Sequence, residues 1–242
     1  MNDTTQPNRK RDFAALIFAM ILPTIVTWVY FVVLKSASPT LQQVAYSIGK
    51  TIQFAFPVVF VWLFYRERFK QRTDKPNDYW MGPLFGFFAV GLMFGLYFLV
   101  LKDSDTANML MEKAGGKFQS MGLASVWAFA GTGLFYALFH SFMEEYYWRW
   151  FVFDLWKKFV PVSAAVVLSA IGFMSHHVIL LAEYLGWDSI WTYLLSASIA
   201  VGGIAWAVLY QRTGRLLSPW ISHMIVDAGI FALGYLLVRE VL

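Results

Sequence analysis

The chain has 242 residues, of which 59% are hydrophobic and only 14% are charged, and its mean hydropathy is +0.55. A water-soluble fold could not bury this much apolar surface, which excludes an ordinary soluble enzyme, a coiled coil and a disordered chain. The net charge of +4 would suit nucleic acid, but the Lys and Arg residues fall between apolar stretches, where membrane topology explains them, and we expect no nucleic-acid partner.

Seven apolar stretches follow one another along the chain as candidate membrane spans, since a helix needs about 20 mostly apolar residues to cross a bilayer. They are residues 13–34, 41–65, 79–101, about 125–153, 162–182, 189–210 and 216–238. Between the third and the fourth, residues 102–122 are expected to form a short amphipathic segment at the outer interface. The predicted fold is all-α, a polytopic bundle of about seven transmembrane helices in the lipid bilayer.

The connections between the spans differ in charge on the two sides of the membrane. Twelve Lys and Arg residues lie on one side, within residues 9–11, 66–75, 157–158 and 212–215, against five on the other. Because the cytoplasmic side carries the excess of positive charge, we expect the N-terminus in the cytoplasm and the C-terminus outside. The predicted location is a multi-pass integral membrane protein, in the inner membrane if the source is bacterial.

Ionisable residues are concentrated in the second half of the chain, within the apolar stretches. The first three spans contain a single ionisable residue, Lys50, to which the sequence gives no role. The later spans contain His140, Glu144, Glu145, Arg149, His176, His177, His223 and Asp227. A charge at the bilayer centre costs about 2.5–3.5 kcal/mol, so these groups must pair with one another or perform chemistry. The occurrence of these eight ionisable residues together favours a functional site in the last four spans. Polar contacts that only hold helices together are the less favoured explanation.

Helix geometry divides the cluster in the fourth span. Glu145 and Arg149 are four residues apart, so they share a helix face and are predicted to form an ion pair. Glu144 is turned away from Arg149 by about 140° and faces elsewhere. His140 lies four residues before Glu144 on the same face. It is either a neighbour of the site or a helix-packing residue.

The fifth and seventh spans supply the other polar groups. His176 and His177 point about 100° apart, so at most one of them should enter a shared centre. His223 and Asp227 are four residues apart and share a face. We expect these groups to meet Glu144 in one cavity near the middle of the membrane.

Three short motifs occur in order on successive polar spans: Glu-Glu-x-x-x-Arg at 144–149, Phe-x-x-x-His at 173–177 and His-x-x-x-Asp at 223–227. This constellation resembles the CAAX-protease and bacteriocin-processing (CPBP) family of intramembrane glutamic endopeptidases. The resemblance covers roughly residues 125–235. It predicts N-terminal transmembrane helices without a recognised motif over residues 1–122 and a protease-like core over residues 123–242.

The resemblance implies a role for each motif residue. Glu144 would be the general base and His177 would help to hold the attacking water, while His176 would be a packing residue. His223 and Asp227 would form the oxyanion site, and Glu145 with Arg149 would support the first motif. An ionised Asp cannot donate a hydrogen bond. Asp227 is therefore either protonated, or it orients His223 and keeps it charged. No cofactor and no metal are implied.

The expected function is the hydrolysis of a peptide bond in a peptide or protein substrate, and a lipidated C-terminus is among the candidates. Eukaryotic relatives cleave the last three residues from prenylated C-terminal motifs, whereas many bacterial relatives act on other peptides. One alternative is a zinc-dependent membrane metalloprotease, since His140, Glu144, His177, His223 and Asp227 include nitrogen and oxygen donors. A non-catalytic scaffold or immunity protein of the same fold is the second alternative. A transporter would need more polar groups in the first spans.

Overall fold

A computed structural model describes residues 8–65, 78–120 and 125–239, and these residues form helices joined by short connections, with no strand among them. In chain order the helices are α1 (Arg9–Val33), α2 (Pro39–Phe64), α3 (Met81–Leu101), α4 (Asp105–Ser120), α5 (Val126–Trp156), α6 (Val162–Leu185), α7 (Ile190–Thr213) and α8 (Leu217–Val238). All except α4 are long and apolar enough to cross a membrane, which makes seven candidate spans in the described part of the chain. The predicted all-α bundle is confirmed.

Local sequence signals explain where these helices begin and end. The side chains of Ser38, Ser125 and Ser189 accept hydrogen bonds from backbone N–H groups in the first turns of α2, α5 and α7. Such caps satisfy donors that have no partner within the helix. Helices α6 and α7 end at Gly186 and Gly214, whose φ angles of +95° and +67° are accessible to glycine at little cost. These five helix ends therefore follow from single residues.

Helix α5 is not a regular α-helix along its length. Residues Tyr136–His140 and Tyr146–Phe153 have π-helical hydrogen bonding, and they flank the α-helical residues Ser141–Glu145. The sequence interpretation used a uniform rotation of 100° per residue, and this assumption fails in the wider π turns. Insertions of this kind are frequent at functional sites.

The C-terminal half of α5 lies at the centre of the bundle. Five of its large side chains are at most 2% exposed: Tyr147, Trp148, Phe151, Val152 and Phe153. Helix α6 packs along α7 and α1, and α8 packs against α3, α5 and α7. The side chains of α3 that face away from the bundle are large and apolar, among them Phe87 and Leu99. Such a surface suits lipid rather than water.

Helix α4 occupies most of the segment in which an amphipathic stretch was predicted. The Lys117 ammonium donates to the side chain of Gln42 (3.2 Å), and the Lys113 ammonium donates to the carbonyl oxygen of Glu183 (3.0 Å). These bonds connect α4 to α2 and α6. Its position at a membrane interface stays a prediction. The proposed domain boundary at residues 122 and 123, and the basic residues between 66 and 75, lie outside the described residues.

Candidate active site

The carboxylate of Glu144 lies where α5, α6 and α8 converge. Its Oε1 atom is 3.8 Å from Nε2 of His140 and 3.7 Å from Nε2 of His176, and its Oε2 atom is 3.8 Å from Nε2 of His223. Only 3% of the Glu144 surface is exposed. The structure therefore brings together polar groups that are up to 83 residues apart in the sequence, as expected from their joint occurrence in apolar spans.

The predicted ion pair between Glu145 and Arg149 is present and completely buried. Nε of Arg149 donates to Oε2 of Glu145 (3.0 Å), and one of its terminal nitrogens donates to Oε1 (3.2 Å). The guanidinium also lies over the rings of Phe173 and Trp206, at 5.1 and 5.6 Å from their centres. The two hydrogen bonds fix the side chains of Glu145 and Arg149. The carboxylate of Glu144 does not take part in this pair and faces the histidines.

Glu145 has a second partner, which the sequence did not indicate. Nδ1–H of His223 donates to Oε1 of Glu145 at 2.9 Å, and the imidazole stacks on Trp206 with ring centres 4.0 Å apart. Asp227 lies 3.5 Å from the other ring nitrogen, Nε2, which is longer than a normal hydrogen bond. Glu145 is therefore a further partner that holds this imidazole, and the role expected for Asp227 stays a prediction.

The two adjacent histidines of α6 both lie near the Glu144 carboxylate. His176, expected to be a packing or supporting residue, lies 3.7 Å from Glu144 and stacks on Trp148. His177 is half-buried next to it, with ring centres 4.1 Å apart, and its Nδ1–H donates to the carbonyl of Phe173 at 2.9 Å. That bond leaves Nε2 of a neutral His177 as an acceptor. Both histidines therefore border the site, and the role of each stays a prediction.

Two further residues, His140 and Trp206, contact the residues of the site. His140, which the sequence predicts to be either a neighbour of the site or a packing residue, lies 3.8 Å from Glu144, and its ring contacts Tyr136 and Phe54. Trp206, which stacks on His223, was not identified. A tryptophan within an apolar span is typical of a lipid-facing or core residue, so the sequence contained no signal for its position.

The polar atoms around Glu144 are close enough to interact electrostatically with its carboxylate. The separations of 3.5–3.8 Å are longer than direct hydrogen bonds and lie within ion-pair range. A buried carboxylate beside several imidazoles can take a proton from water, and an imidazole N–H can stabilise an oxyanion. No group of three or more acidic or histidine side chains in the described ranges is arranged to hold a metal ion.

Comparison with known proteins gives one family. Residues 125–229 match the Rce1-like family model, described as type II CAAX prenyl endopeptidase Rce1-like. The match includes all three motifs and confirms the assignment of this region to the CPBP family. Together with the seven apolar helices, it identifies a multi-pass integral membrane protein of the protease type, with a protein substrate. No curated protein and no solved structure was found to be similar to the chain.

Proposed function

We propose that this chain, whose residues 125–229 belong to the Rce1-like CAAX proteases, is an intramembrane glutamic endopeptidase. The observation that supports the proposal best is the position of Glu144, a buried carboxylate within 3.8 Å of three imidazoles from three helices. Peptide hydrolysis without a covalent intermediate requires a base beside water and donors beside the developing oxyanion, and these groups supply both.

In the proposed reaction, Glu144 takes a proton from water while the water oxygen forms a bond to the carbonyl carbon of the peptide. His177 holds this water through Nε2, the acceptor left by its bond to the Phe173 carbonyl. His176, nearer to Glu144, positions the carboxylate. The proton on Glu144 then passes to the nitrogen of the leaving amine when the carbon–nitrogen bond breaks, which restores the ionised carboxylate.

His223 supplies the oxyanion donor in this scheme. Its Nδ1–H is held by Glu145, so Nε2–H of the charged ring faces Asp227 and Glu144. Asp227, 3.5 Å from Nε2, favours the charged imidazole and so acts on the oxyanion through His223. Glu145 and Arg149 act through His223 and are positioning residues.

The substrate in this proposal is a peptide or protein segment that reaches the bundle from the membrane, with a lipidated C-terminus as one form. The zinc-dependent alternative differs in requiring a metal at the same residues. Activity that survives thorough treatment with a chelator supports the proposal, and activity that is lost and then restored by zinc favours the alternative.

The proposal is tested by Glu144→Gln in purified protein, assayed with fluorogenic peptides. Glutamine keeps the size of the side chain but cannot take the proton, so turnover should fall by about 100- to 10,000-fold, the usual contribution of general acid–base catalysis. The matched control is Glu112→Gln, the same change at an exposed residue of α4, which should leave turnover unchanged. A folded Glu144→Gln protein that keeps most of its activity would show that Glu144 is not the base.

A further inference from the structure

A shallow groove lies on the outside of the bundle between α1 and α2, away from the site around Glu144. Its volume is about 310 Å³, and its walls are almost entirely apolar. The residues that line it are Arg11, Ala14, Ala15 and Phe18 of α1 with Phe56 and Phe60 of α2.

The shape of the groove follows from the side chains of the two helices. The alanines at 14 and 15 leave space on α1, and α2 supplies the opposite wall with aromatic rings. Phe56 contacts the ring of Phe18, with centres 4.6 Å apart, at one end, and Phe60 lies 5.8 Å from the guanidinium of Arg11 at the other. Seven residues of α1 separate Arg11 from Phe18, so the groove is about 10 Å long and parallel to the helix. A narrow apolar groove of this length and direction suits one acyl chain.

Arg11 places a positive charge at the end of the groove. Its guanidinium lies over the ring of Phe64, 4.3 Å from the centre, and its contact with Asp12 is long, at 3.3 Å. Asp12 has a closer cation, the ammonium of Lys158 at 2.7 Å. Nε of Arg11 is buried and has no hydrogen-bond partner among the described residues. Since Lys158 neutralises Asp12, the charge of Arg11 is available to an anion.

The position of Arg11 along the span determines which anion can reach it. The residue lies in the first turn of α1 and beside the last residues of α2, where the two helices leave the hydrocarbon region, and 21% of its side chain is exposed. Phospholipid phosphates lie at this depth, and a guanidinium binds phosphate through two parallel hydrogen bonds. The exposed neighbours Arg9 and Lys10 add positive charge, which favours anionic over zwitterionic lipids.

We infer that this groove binds one anionic phospholipid, with its phosphate on Arg11 and one acyl chain between α1 and α2. The phosphate and the chain are parts of the same molecule, which matches the juxtaposition of a guanidinium with an apolar groove. The bound lipid contacts both helices and so stabilises their packing. This site is separate from Glu144 and does not depend on the proposed hydrolysis.

The experiment measures lipid binding to delipidated, full-length protein in detergent by native mass spectrometry. The probes are phosphatidylglycerol and phosphatidylcholine with identical acyl chains. Wild-type protein should bind the first molecule of phosphatidylglycerol about 10- to 100-fold more tightly than phosphatidylcholine, as expected for hydrogen bonds to a charged group. Phosphatidylglycerol should also raise the melting temperature more than phosphatidylcholine does.

The role of the guanidinium is tested at Arg11 and at its neighbour. Arg11→Gln should lower the affinity for phosphatidylglycerol to that for phosphatidylcholine, and Arg11→Lys should bind with intermediate affinity because an ammonium lacks the planar fork. The matched control is Lys10→Gln, which removes the same charge from the adjacent exposed residue and should keep the wild-type preference.

The role of the groove is tested by filling it. Ala14→Phe leaves Arg11 intact and should lower the affinity for phosphatidylglycerol about 10-fold, the effect of excluding roughly two methylene groups from an apolar contact. Ala14 is exposed, so the variant should fold. Ala130→Phe, the same change at an exposed residue of α5, should bind as wild type.

Three results would overturn the inference. One is equal affinity of the wild type for the two lipids. Another is an unchanged preference in folded Arg11→Gln protein, or an equal loss in Lys10→Gln, which would mean that the basic end of the bundle attracts lipid without a specific site. The third is wild-type affinity in Ala14→Phe, which would place the acyl chain elsewhere and which can be measured even if Arg11→Gln fails to fold.

Discussion

The carboxylate of Glu145 joins two parts of the site that come from different helices. It accepts two hydrogen bonds from Arg149 on its own helix and one from His223 on α8. A residue that merely neutralised Arg149 would need only the first two. The third bond fixes the direction in which Nε2 of His223 points, and through it the geometry of the proposed oxyanion site.

Removal of the charge at Glu145 should therefore have two effects. The loss of the pair with Arg149 should lower stability, and the loss of the charged acceptor of His223 should lower turnover. Glu145→Gln leaves the buried Arg149 without its counter-charge, and breaking a buried pair in this way typically costs about 3–5 kcal/mol. The melting temperature in detergent should fall. In the double variant Glu145→Gln with Arg149→Met, part of the stability should return, while turnover should stay low because His223 has lost its charged acceptor. Recovery of turnover together with stability would mean that Glu145 has a structural role only.

The adjacent histidines of α6 provide a second prediction at this scale. His177→Ala removes the proposed water acceptor, and turnover should become undetectable without unfolding of the bundle. His176→Ala removes a neighbour of Glu144 that also stacks on Trp148, so we expect reduced but measurable turnover and a lower melting temperature. Rates should be compared at equal folded fraction. The reverse order of activities would assign the water-holding role to His176.

At the scale of the elements, the close packing of α3 on α8 sets the position of one site helix. A Cβ atom at Gly82 of α3 would clash with the backbone carbonyl oxygen of Ser218, five residues before His223. Backbone at this position cannot yield without movement of a helix. Gly91, on the same helix, has no heavy atom within 4 Å of the corresponding position.

Gly82→Ala should therefore lower stability by about 1–3 kcal/mol, the usual cost of overpacking, and should lower turnover by displacing the start of α8. Gly91→Ala is the control and should show no loss, since alanine is the better helix former. The melting temperature and the rate of peptide hydrolysis, measured for both variants, check this prediction. Equal stability of the two variants would show that α3 and α8 are not packed so closely.

At the scale of the whole molecule, specific polar contacts connect α1 to the region of the site. The Tyr147 hydroxyl donates to the carbonyl of Ala19 (2.7 Å), and the hydroxyls of Thr24 and Ser175 are 2.7 Å apart. The ammonium of Lys158 pairs with the buried Asp12 at 2.7 Å. Helix α1 is therefore an integral support of α5 and α6. The division into two parts near residue 122 describes the sequence motifs and stays a prediction as a division into domains.

The predicted orientation can be checked because the chain contains no cysteine. Single cysteines at two exposed residues, Lys10→Cys in the first turn of α1 and Lys102→Cys after α3, should be labelled from opposite sides of the membrane. In intact cells a membrane-impermeant maleimide should modify the cysteine at 102 only, and after lysis both should react. Labelling at position 10 in intact cells would reverse the topology derived from the Lys and Arg distribution.

Some features followed from the sequence alone because they depend on local properties. The seven spans were predicted to within a few residues, since about 20 consecutive, mostly apolar residues are sufficient to define a membrane helix. The pair Glu145–Arg149 followed from a spacing of four residues. The grouping of Glu144, His223 and Asp227 followed from the cost of leaving each of them unpaired in lipid.

Other features were decided only by the tertiary structure. The contact of His176 with Glu144 and the bond from His223 to Glu145, 78 residues apart, depend on how each helix is rotated about its axis and tilted against its neighbours. The position of Lys50 over the ring of Phe54, which contacts His140, depends on the same rotations. Hydropathy contains no information on rotation, and the π turns of α5 change the direction of side chains relative to the uniform helix that the sequence suggests.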